Sequence, residues 1–275
     1  MRRIQAYFDG RAQRRNVDYS TNPILGYEQR KRQKVVMDLV LPQEGERMLD
    51  VGCGNARDLL KLGKSARCIG MDFSWEMLLE GKRSLNRYGI KASLVRCDAL
   101  RLSFGDDVFD KVVCSEVIEH IPAWEETIRE MRRVLRRDGL LVITTPNKLS
   151  MYKAEQLTVY ALFVFLRNLI LSLGKIFLPG SVFFSTREKR SYRISPNNPY
   201  DEWKTEKTVR IALESCGFKF VRSLGSNYLP GFFVIRRLPH RLQRMVVSTV
   251  SVFEPLLRVV FHRFGGGVAL CARKV

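Results

Sequence analysis

The chain has 275 residues, 45% of them apolar, and a formal charge of +19. That length holds one large α/β domain or two small ones, and the apolar share supports a packed core. The six cysteines, at 53, 68, 97, 114, 216 and 271, show no C-x-x-C spacing and no metal pattern, so they are expected as reduced core residues of a cytosolic protein.

Residues 1–34 form a basic arm with nine basic and three acidic side chains. Its opening, Met1-Arg-Arg-Ile-Gln-Ala-Tyr7, lacks the apolar run of a signal peptide. Met48-Leu-Asp-Val-Gly-Cys-Gly-Asn-Ala-Arg-Asp-Leu-Leu60 then predicts a buried strand, a sharp glycine turn and the opening of a helix. Gly52 and Gly54 carry no Cβ, so the backbone there can turn tightly and approach a ligand. Such turns sit at the carboxyl edge of a parallel sheet, where α/β folds bind nucleotides. A dinucleotide site needs a third glycine three residues after the second, and Arg57 stands there instead. Asp50 is a second objection, because a carboxylate at the strand end repels a pyrophosphate. It suits a cationic ligand with a free amino group, such as S-adenosylmethionine.

The next elements repeat one pattern. Cys68-Ile-Gly-Met-Asp72 is a short apolar run ending in an acid, 18 residues after Gly54. An acid at the end of a second strand suits two ribose hydroxyls, and Phe73 follows it for the adenine face. Ser93-Leu-Val-Arg-Cys-Asp98-Ala-Leu is a third strand ending in an acid, and Phe109–Ser115 is a fourth. A helix is expected over Trp124–Leu135, with Leu135-Arg-Arg-Asp-Gly139 as its stop and Leu140–Pro146 as a fifth strand. One acid at a strand end reads as a helix cap. Four in register, alternating with helical segments, are not explained by capping.

The acid and glycine turn at 50–56 resemble motif I of the class I S-adenosylmethionine-dependent methyltransferases, with Ala56 in place of the last glycine. Phe109-Asp-Lys-Val-Val-Cys-Ser-Glu-Val-Ile-Glu-His120-Ile-Pro resembles motif IV in the branch that contains the ubiquinone and menaquinone methyltransferases. The resemblance covers residues 45–147 well and Trp203–Leu224 moderately. It implies a Rossmann-like, seven-stranded α/β sheet, mostly parallel with an antiparallel last strand and helices on both faces. It also implies S-adenosylmethionine as cofactor, held by Asp50, Gly52, Gly54, Asp72, Phe73, Asp98, the backbone N–H of Ala99, and Ser115.

That fold can be resumed after two interruptions. Glu202–Gly217 is the helix after strand five, Phe218–Leu224 the sixth strand and Val268–Val275 the last. A single domain over 35–275 is therefore expected, with insertions at 148–201 and 226–267. Residues 35–150 hold 18 basic and 18 acidic side chains and are neutral, whereas 151–200 have seven against two and 226–267 six against one. The arm and the two insertions carry +16 of the +19.

In the first insertion, Val159, Leu162, Leu166, Leu169, Ile170, Leu173 and Phe177 share one helical face, with Arg167, Asn168, Ser172 and Lys175 opposite. This suits a helix lying in a membrane interface. A transmembrane span over Leu157–Leu178 has the right length. It would strand the following helix and strand across the bilayer, and its central Arg costs about 2.5–3.5 kcal/mol. The second insertion, Tyr228–Phe264, runs from Phe232-Phe-Val-Ile235 into Arg236-Arg237 and a basic, apolar segment expected to break at Pro255. The rival for both is a helical cap with a solvated basic rim. Both insertions should rise from the carboxyl edge of the sheet, over the cofactor. A basic, apolar lid there implies a greasy acceptor, or one embedded in an anionic membrane.

His120, just past the fourth strand, is the candidate base, with Glu116 beside it as the second catalytic candidate. Glu116, Glu119 and His120 together offer divalent-metal donors, but no second histidine is near and no metal is assigned. His240 and His262 are expected at the surface. Nucleic acid is the competing partner for so basic a chain. However, Ser115-Glu-Val-Ile is not the Asn/Asp-Pro-Pro-Tyr/Phe signature of base methylation, and no Pro-Cys nucleophile is present. A non-enzymatic scaffold has no need of acids at 50, 72 and 98. The reading is a methyltransferase acting on a small lipophilic or lipid-linked, quinone-precursor-like acceptor, cytoplasmic and peripherally membrane-associated. The alternative is an RNA or soluble-metabolite methyltransferase whose insertions cap the substrate.

Overall fold

The computed structural model describes residues 2–12, 21–150, 200–228, 235, 238–260 and 264–275. The expected interfacial helix of the first insertion, the Arg236-Arg237 pair and His262 lie outside the described residues. Strands β1 (Arg47–Val51), β2 (Arg67–Asp72) and β4 (Phe109–Ser115) are buried along most of their length. That is the pattern of a parallel sheet covered on both faces. With β3 (Ala92–Arg96), β5 (Leu135–Pro146), β6 (Phe218–Ser226) and β7 (Gly267–Lys274) they form one sheet in the order β3-β2-β1-β4-β5-β7-β6. Only β7 runs opposite to the other strands, pairing antiparallel with both β5 and β6. The seven-stranded, Rossmann-like architecture is as expected, and its strand order reverses between β1 and β4, where open α/β sheets bind ligands.

Helix α1 (Arg2–Asp9) lies at the start of the chain and α2 (Pro23–Val40) follows. The latter begins at Asn22, whose Oδ1 accepts from the N–H groups of Ile24 and Leu25, with proline in its first turn. It runs unbroken through residue 34, where the basic arm was drawn. Its second half (Val35, Val36, Leu39, Val40) packs on one sheet face together with α3 (Leu59–Leu62) and α4 (Trp75–Arg87). The other face is covered by α5 (Trp124–Val134) and α6 (Glu206–Ser215).

Three boundaries differ from expectation. The fifth strand starts at Leu135, not Leu140, because this fully buried side chain pairs with Phe109 before the register shifts. Asp138, at φ 63°, lets the chain loop out before pairing resumes at Leu140. Helix α6 starts after Thr205, which accepts from Thr208 N–H, rather than at Glu202. Residues 202–204 are instead held by backbone bonds, from Glu202 N–H to the Glu119 carbonyl and from Lys148 N–H to the Lys204 carbonyl. The third is α7 (His240–Val260), which passes through Pro255 without the expected break. Pro255 sits on the exposed side, where water can take the carbonyl that loses its donor.

The insertions are rooted together. Asn147, at the exit from β5, pairs with Lys204 at the return. The Asn147 N–H donates to the Gly266 carbonyl at 3.0 Å and its Nδ2 to the Gly265 carbonyl at 3.2 Å, at the end of the second insertion. Asn147 is buried, so losing its side chain leaves the Gly265 carbonyl without this donor and the Leu149 N–H without its Oδ1 acceptor. Asn147→Ala is expected to destabilise the protein by about 1–3 kcal/mol, read as a lower thermal midpoint; an unchanged midpoint would show that the two roots do not depend on this side chain.

Candidate active site

A cavity, with about 930 Å³ of atom-free space including its open mouth, lies at the carboxyl ends of β1, β2 and β4. All ten residues singled out from the sequence line it: Asp50, Gly52, Gly54, Asp72 and Phe73 in its first half, Asp98, Ala99, Ser115, Glu116 and His120 in the second. The backbone explains the glycine turn. Gly52 and Gly54 have φ of 71° and 52°, and a Cβ at Gly52 would collide with Val117. At Gly54 nothing lies within 4 Å of where a Cβ would be, so the backbone there faces open space. Ala56, in place of the family's last glycine, also takes a left-handed φ of 63°. Its methyl is buried facing Gly81 of α4, where a Cβ would come within 3.1 Å.

Asp72 closes the site. Its Oδ2 accepts from Gly54 N–H at 2.9 Å and its Oδ1 from Ser74 N–H at 2.8 Å. Ser74 Oγ caps α4 by accepting from Met77 N–H and donates to Asp9 of α1. This brings α1 over the cavity. Phe8 meets Phe73 edge-on at 6.0 Å and His120 at 5.2 Å, and Ile4 lines the cavity beside it.

The charge distribution is uneven. Asp50 is 2% exposed and its Oδ2 has no hydrogen-bond partner. Burial, then the neighbouring Asp58 and Asp72, hold its carboxyl well above the ordinary carboxylate range, with Arg32 opposing. Asp58 Oδ1 and Gln29 Nε2 are likewise buried without hydrogen-bond partners. Arg32 donates to Gln29 Oε1 at 2.5 Å and stands 3.9 Å from Glu116 Oε2. The cavity lining thus presents both carboxylate oxygens and, from α2, an amide donor and a guanidinium, which matches a ligand carrying both an ammonium and a carboxylate. Gln29, Arg32, Asp58, Ile4 and Phe8 had no motif to mark them. The only signal was the i, i+3 spacing of Gln29 and Arg32 on a helix.

The far side of the cavity holds the candidate base. Glu116 leaves β4 at φ 59°, with its N–H bonded to the Thr144 carbonyl and its Oε1 accepting from Thr144 Oγ1 at 3.1 Å. Ser115 Oγ is 3.1 Å from the same hydroxyl. Glu119 is fully buried, and burial and Glu116 push its carboxyl well up. His120 Nδ1 is 3.3 Å from the Tyr200 carbonyl and 3.9 Å from Asp201 Oδ1, both on the return of the first insertion. A carbonyl only accepts, so this contact places a hydrogen on Nδ1, while Nε2 lies 3.8 Å from Glu119 Oε1. Among the described residues no three His, Cys, Asp or Glu side chains are arranged to hold a metal ion. All six cysteines are free and five are buried. His240 is exposed, as expected.

A methyltransferase-domain profile matches residues 49–143. The chain is 30% identical over 162 residues to the demethylmenaquinone methyltransferase of Bacillus velezensis, covering 57% of this chain and 68% of that one. It is 35% identical over 144 residues to the Staphylococcus saprophyticus enzyme of the same name, covering 48% and 61%. Among solved structures it resembles the magnesium protoporphyrin IX methyltransferase of Synechocystis with bound S-adenosylhomocysteine, at a TM-score of 0.60, 18% identity and 99% and 98% coverage. A methyltransferase from Aquifex aeolicus, described as dependent on S-adenosylmethionine, gives 0.51, 16% and 89% of each chain.

Asp50 yields a prediction with a defined sign. A carboxyl held above its ordinary value binds its proton more readily in the folded protein. Its stabilising contribution is full below the unfolded value and is lost as pH rises through the raised one. Asp50→Asn is therefore expected to raise the melting temperature of the ligand-free protein near neutral pH. It should also flatten the fall in stability across that window and weaken S-adenosylmethionine binding about tenfold or more. Calorimetry with and without cofactor checks both; an unchanged affinity would remove Asp50 from the site.

Proposed function

The chain belongs to the class I S-adenosylmethionine-dependent methyltransferases, near their menaquinone branch, and from there we propose that it methylates a small lipophilic or lipid-linked, quinone-precursor-like acceptor at a membrane surface. The observation that carries the acceptor reading is the rooting of the first insertion on the candidate base, where the Tyr200 carbonyl meets His120 and Glu202 bonds Glu119. A basic, apolar segment thus begins and ends beside the reacting centre. The relatives named for demethylmenaquinone support an acceptor of that kind for this chain. The arm and the two insertions, in this reading, form the cover of a single domain. The protein works peripherally, on the cytoplasmic side of an anionic bilayer, since each Lys or Arg near such a surface contributes about 1 kcal/mol.

The residues present fit the cofactor. Asp50, with its unbonded buried oxygen, takes the ammonium, assisted by Asp58. Arg32 and Gln29 take the carboxylate. The glycine turn at 52–54 gives the ligand close access to the backbone. Asp72, at the end of β2, takes the ribose hydroxyls as an acceptor. Asp98 and the N–H of Ala99 take the adenine edge, Phe73 its face, and Ser115 the strand end below.

Bound S-adenosylmethionine supplies an electrophilic methyl group on a sulfonium. The transfer is an in-line displacement, so the chain contributes mainly by positioning. His120, its Nδ1–H turned to Tyr200, holds Nε2 ready to take the proton of the acceptor. Asp201, 3.9 Å from Nδ1, favours the imidazolium that results, and Glu116 lines the same cavity. Ile4 and Phe8 keep water from that side of the cavity.

His120→Ala is expected to lower kcat by roughly 10²–10⁴-fold with little change in cofactor affinity; normal turnover would remove it as the base. The acceptor is tested by incubating lipid extracts with the protein and isotopically labelled cofactor. Label in a lipid-soluble product of quinone type is the expected outcome, and label confined to RNA or to water-soluble metabolites would overturn it in favour of a capped-substrate enzyme.

A further inference from the structure

Helix α7 has two faces of different character. Inward, Val247 packs with Ile24 and Tyr27 of α2 and with Ile235, and Val246 and Val250 flank them. The only acid of the helix, Glu254, is also turned inward, where it accepts from Tyr27 Oη at 2.9 Å and pairs with Lys31. Outward lie Leu242, Met245, Val252, Phe253 and Leu256, each 44–74% exposed. Five of the thirteen large apolar side chains exposed among the described residues therefore share this one face. Positions 242, 245, 249, 252 and 256 step by three and four, so they form a continuous stripe. A helix face left to water carries charged and polar residues instead. The first turn adds the exposed Arg241 and Arg244. They edge a shallow depression shared with Met245, Ser248 and Thr249.

We propose that this outer face of α7 is the surface by which the protein lies on an anionic lipid bilayer. The apolar stripe enters the boundary between headgroups and acyl chains. Arg241 and Arg244, with the hydroxyl of Ser248, meet lipid phosphates. The purpose of this contact rests on the proposed lipophilic acceptor, but its existence is tested apart from it. The charge of this segment chooses the occupant. Residues 226–267 carry six basic side chains and one acid, and that acid is the buried Glu254. A second copy pairing through the same face would set like charges against each other. A nucleic acid would use the arginines but leave five large apolar side chains without a partner.

The placement of α7 gives the contact a direction. It packs on the first turns of α2, and the turns that follow send Gln29 and Arg32 into the cavity. Asn227, at the root of the second insertion, donates to Glu28 of the same helix at 2.6 Å. The bilayer contact thus belongs to the part of α2 that borders the site, and through Asn147 the end of this insertion is joined to the roots of the first. A lipid-embedded acceptor reaches the cavity from the surface that α7 lies on.

The test is co-sedimentation with vesicles of phosphatidylcholine, with and without phosphatidylglycerol. The wild type is expected to bind the vesicles containing phosphatidylglycerol. The triple variant Met245→Glu, Val252→Glu, Leu256→Glu should bind them about tenfold or more weakly. The pair Arg241→Ser, Arg244→Ser should weaken binding less and reduce its salt dependence. All five positions are exposed, so the variants should keep the wild-type melting temperature and S-adenosylmethionine affinity, and those two measurements show that they are folded. A triple variant that binds as tightly as wild type overturns the proposal, as does a wild type that binds cofactor but ignores both vesicles. A wild-type dimer that the triple variant dissolves would make the occupant a second copy, which also overturns it. Vesicle binding without methyl transfer into lipid extracts leaves the surface standing and removes the proposed acceptor instead.

Discussion

Four parts of the chain converge on the carboxylate of Asp72. It ends β2, accepts the N–H of Gly54 in the glycine turn and that of Ser74, and through Ser74 it reaches the cap of α4 and Asp9 of α1. Each oxygen is used by a backbone donor, so the acid fixes both loops that border the ligand cavity before any ligand enters. Charge-assisted bonds to backbone N–H groups are roughly twice as strong as neutral ones, and in this buried setting their loss would free the turn and the cap together. The cover over the cavity depends on the same side chain, because α1 is held through Ser74.

Around that node the molecule carries a deliberate imbalance. Asp50, Asp58 and Asp72 stand close enough to raise the carboxyl of Asp50, and Arg32 is the cation that opposes it. An arrangement tuned only for stability would not bury a carboxylate oxygen without a donor. The cost is consistent with a site that receives a cation. Ala56 makes a related point. A methyl in the left-handed region beside the turn is accommodated because the facing residue of α4 is Gly81, so the two positions together keep the helix against the loop.

The carboxyl edge also gathers what the family fold does not need. Asn147 joins the exit of the first insertion to its return at Lys204 and to Gly265 and Gly266 at the end of the second. The return then reaches His120 and Glu119, while the second insertion folds α7 onto α2. The inward turn of Glu254 anchors α7 and at the same time strips its outer face of negative charge. One side chain thereby sets both how the helix sits and what it can meet.

How much of this was legible depends on the range of the interactions involved. Strand identity, the antiparallel last strand, the glycine turn and ten cavity residues were readable, because each is set by local chemistry: a short apolar run, a missing Cβ, an acid at a strand end. Their register was not. Leu135 reads as the last turn of a helix, but pairing with Phe109, distant in sequence, draws it into β5. Pro255 reads as a break, but packing and an exposed carbonyl carry α7 past it. Gln29 and Arg32 sit in a basic stretch without a motif, and only the docking of α2 brings them to Asp50 and Glu116. The sequence by itself determined the sheet, the cofactor and the places where the chain departs from them. Tertiary structure decided which distant side chains complete the site and which face of α7 is left outward, because both are set by contacts between residues far apart in the chain.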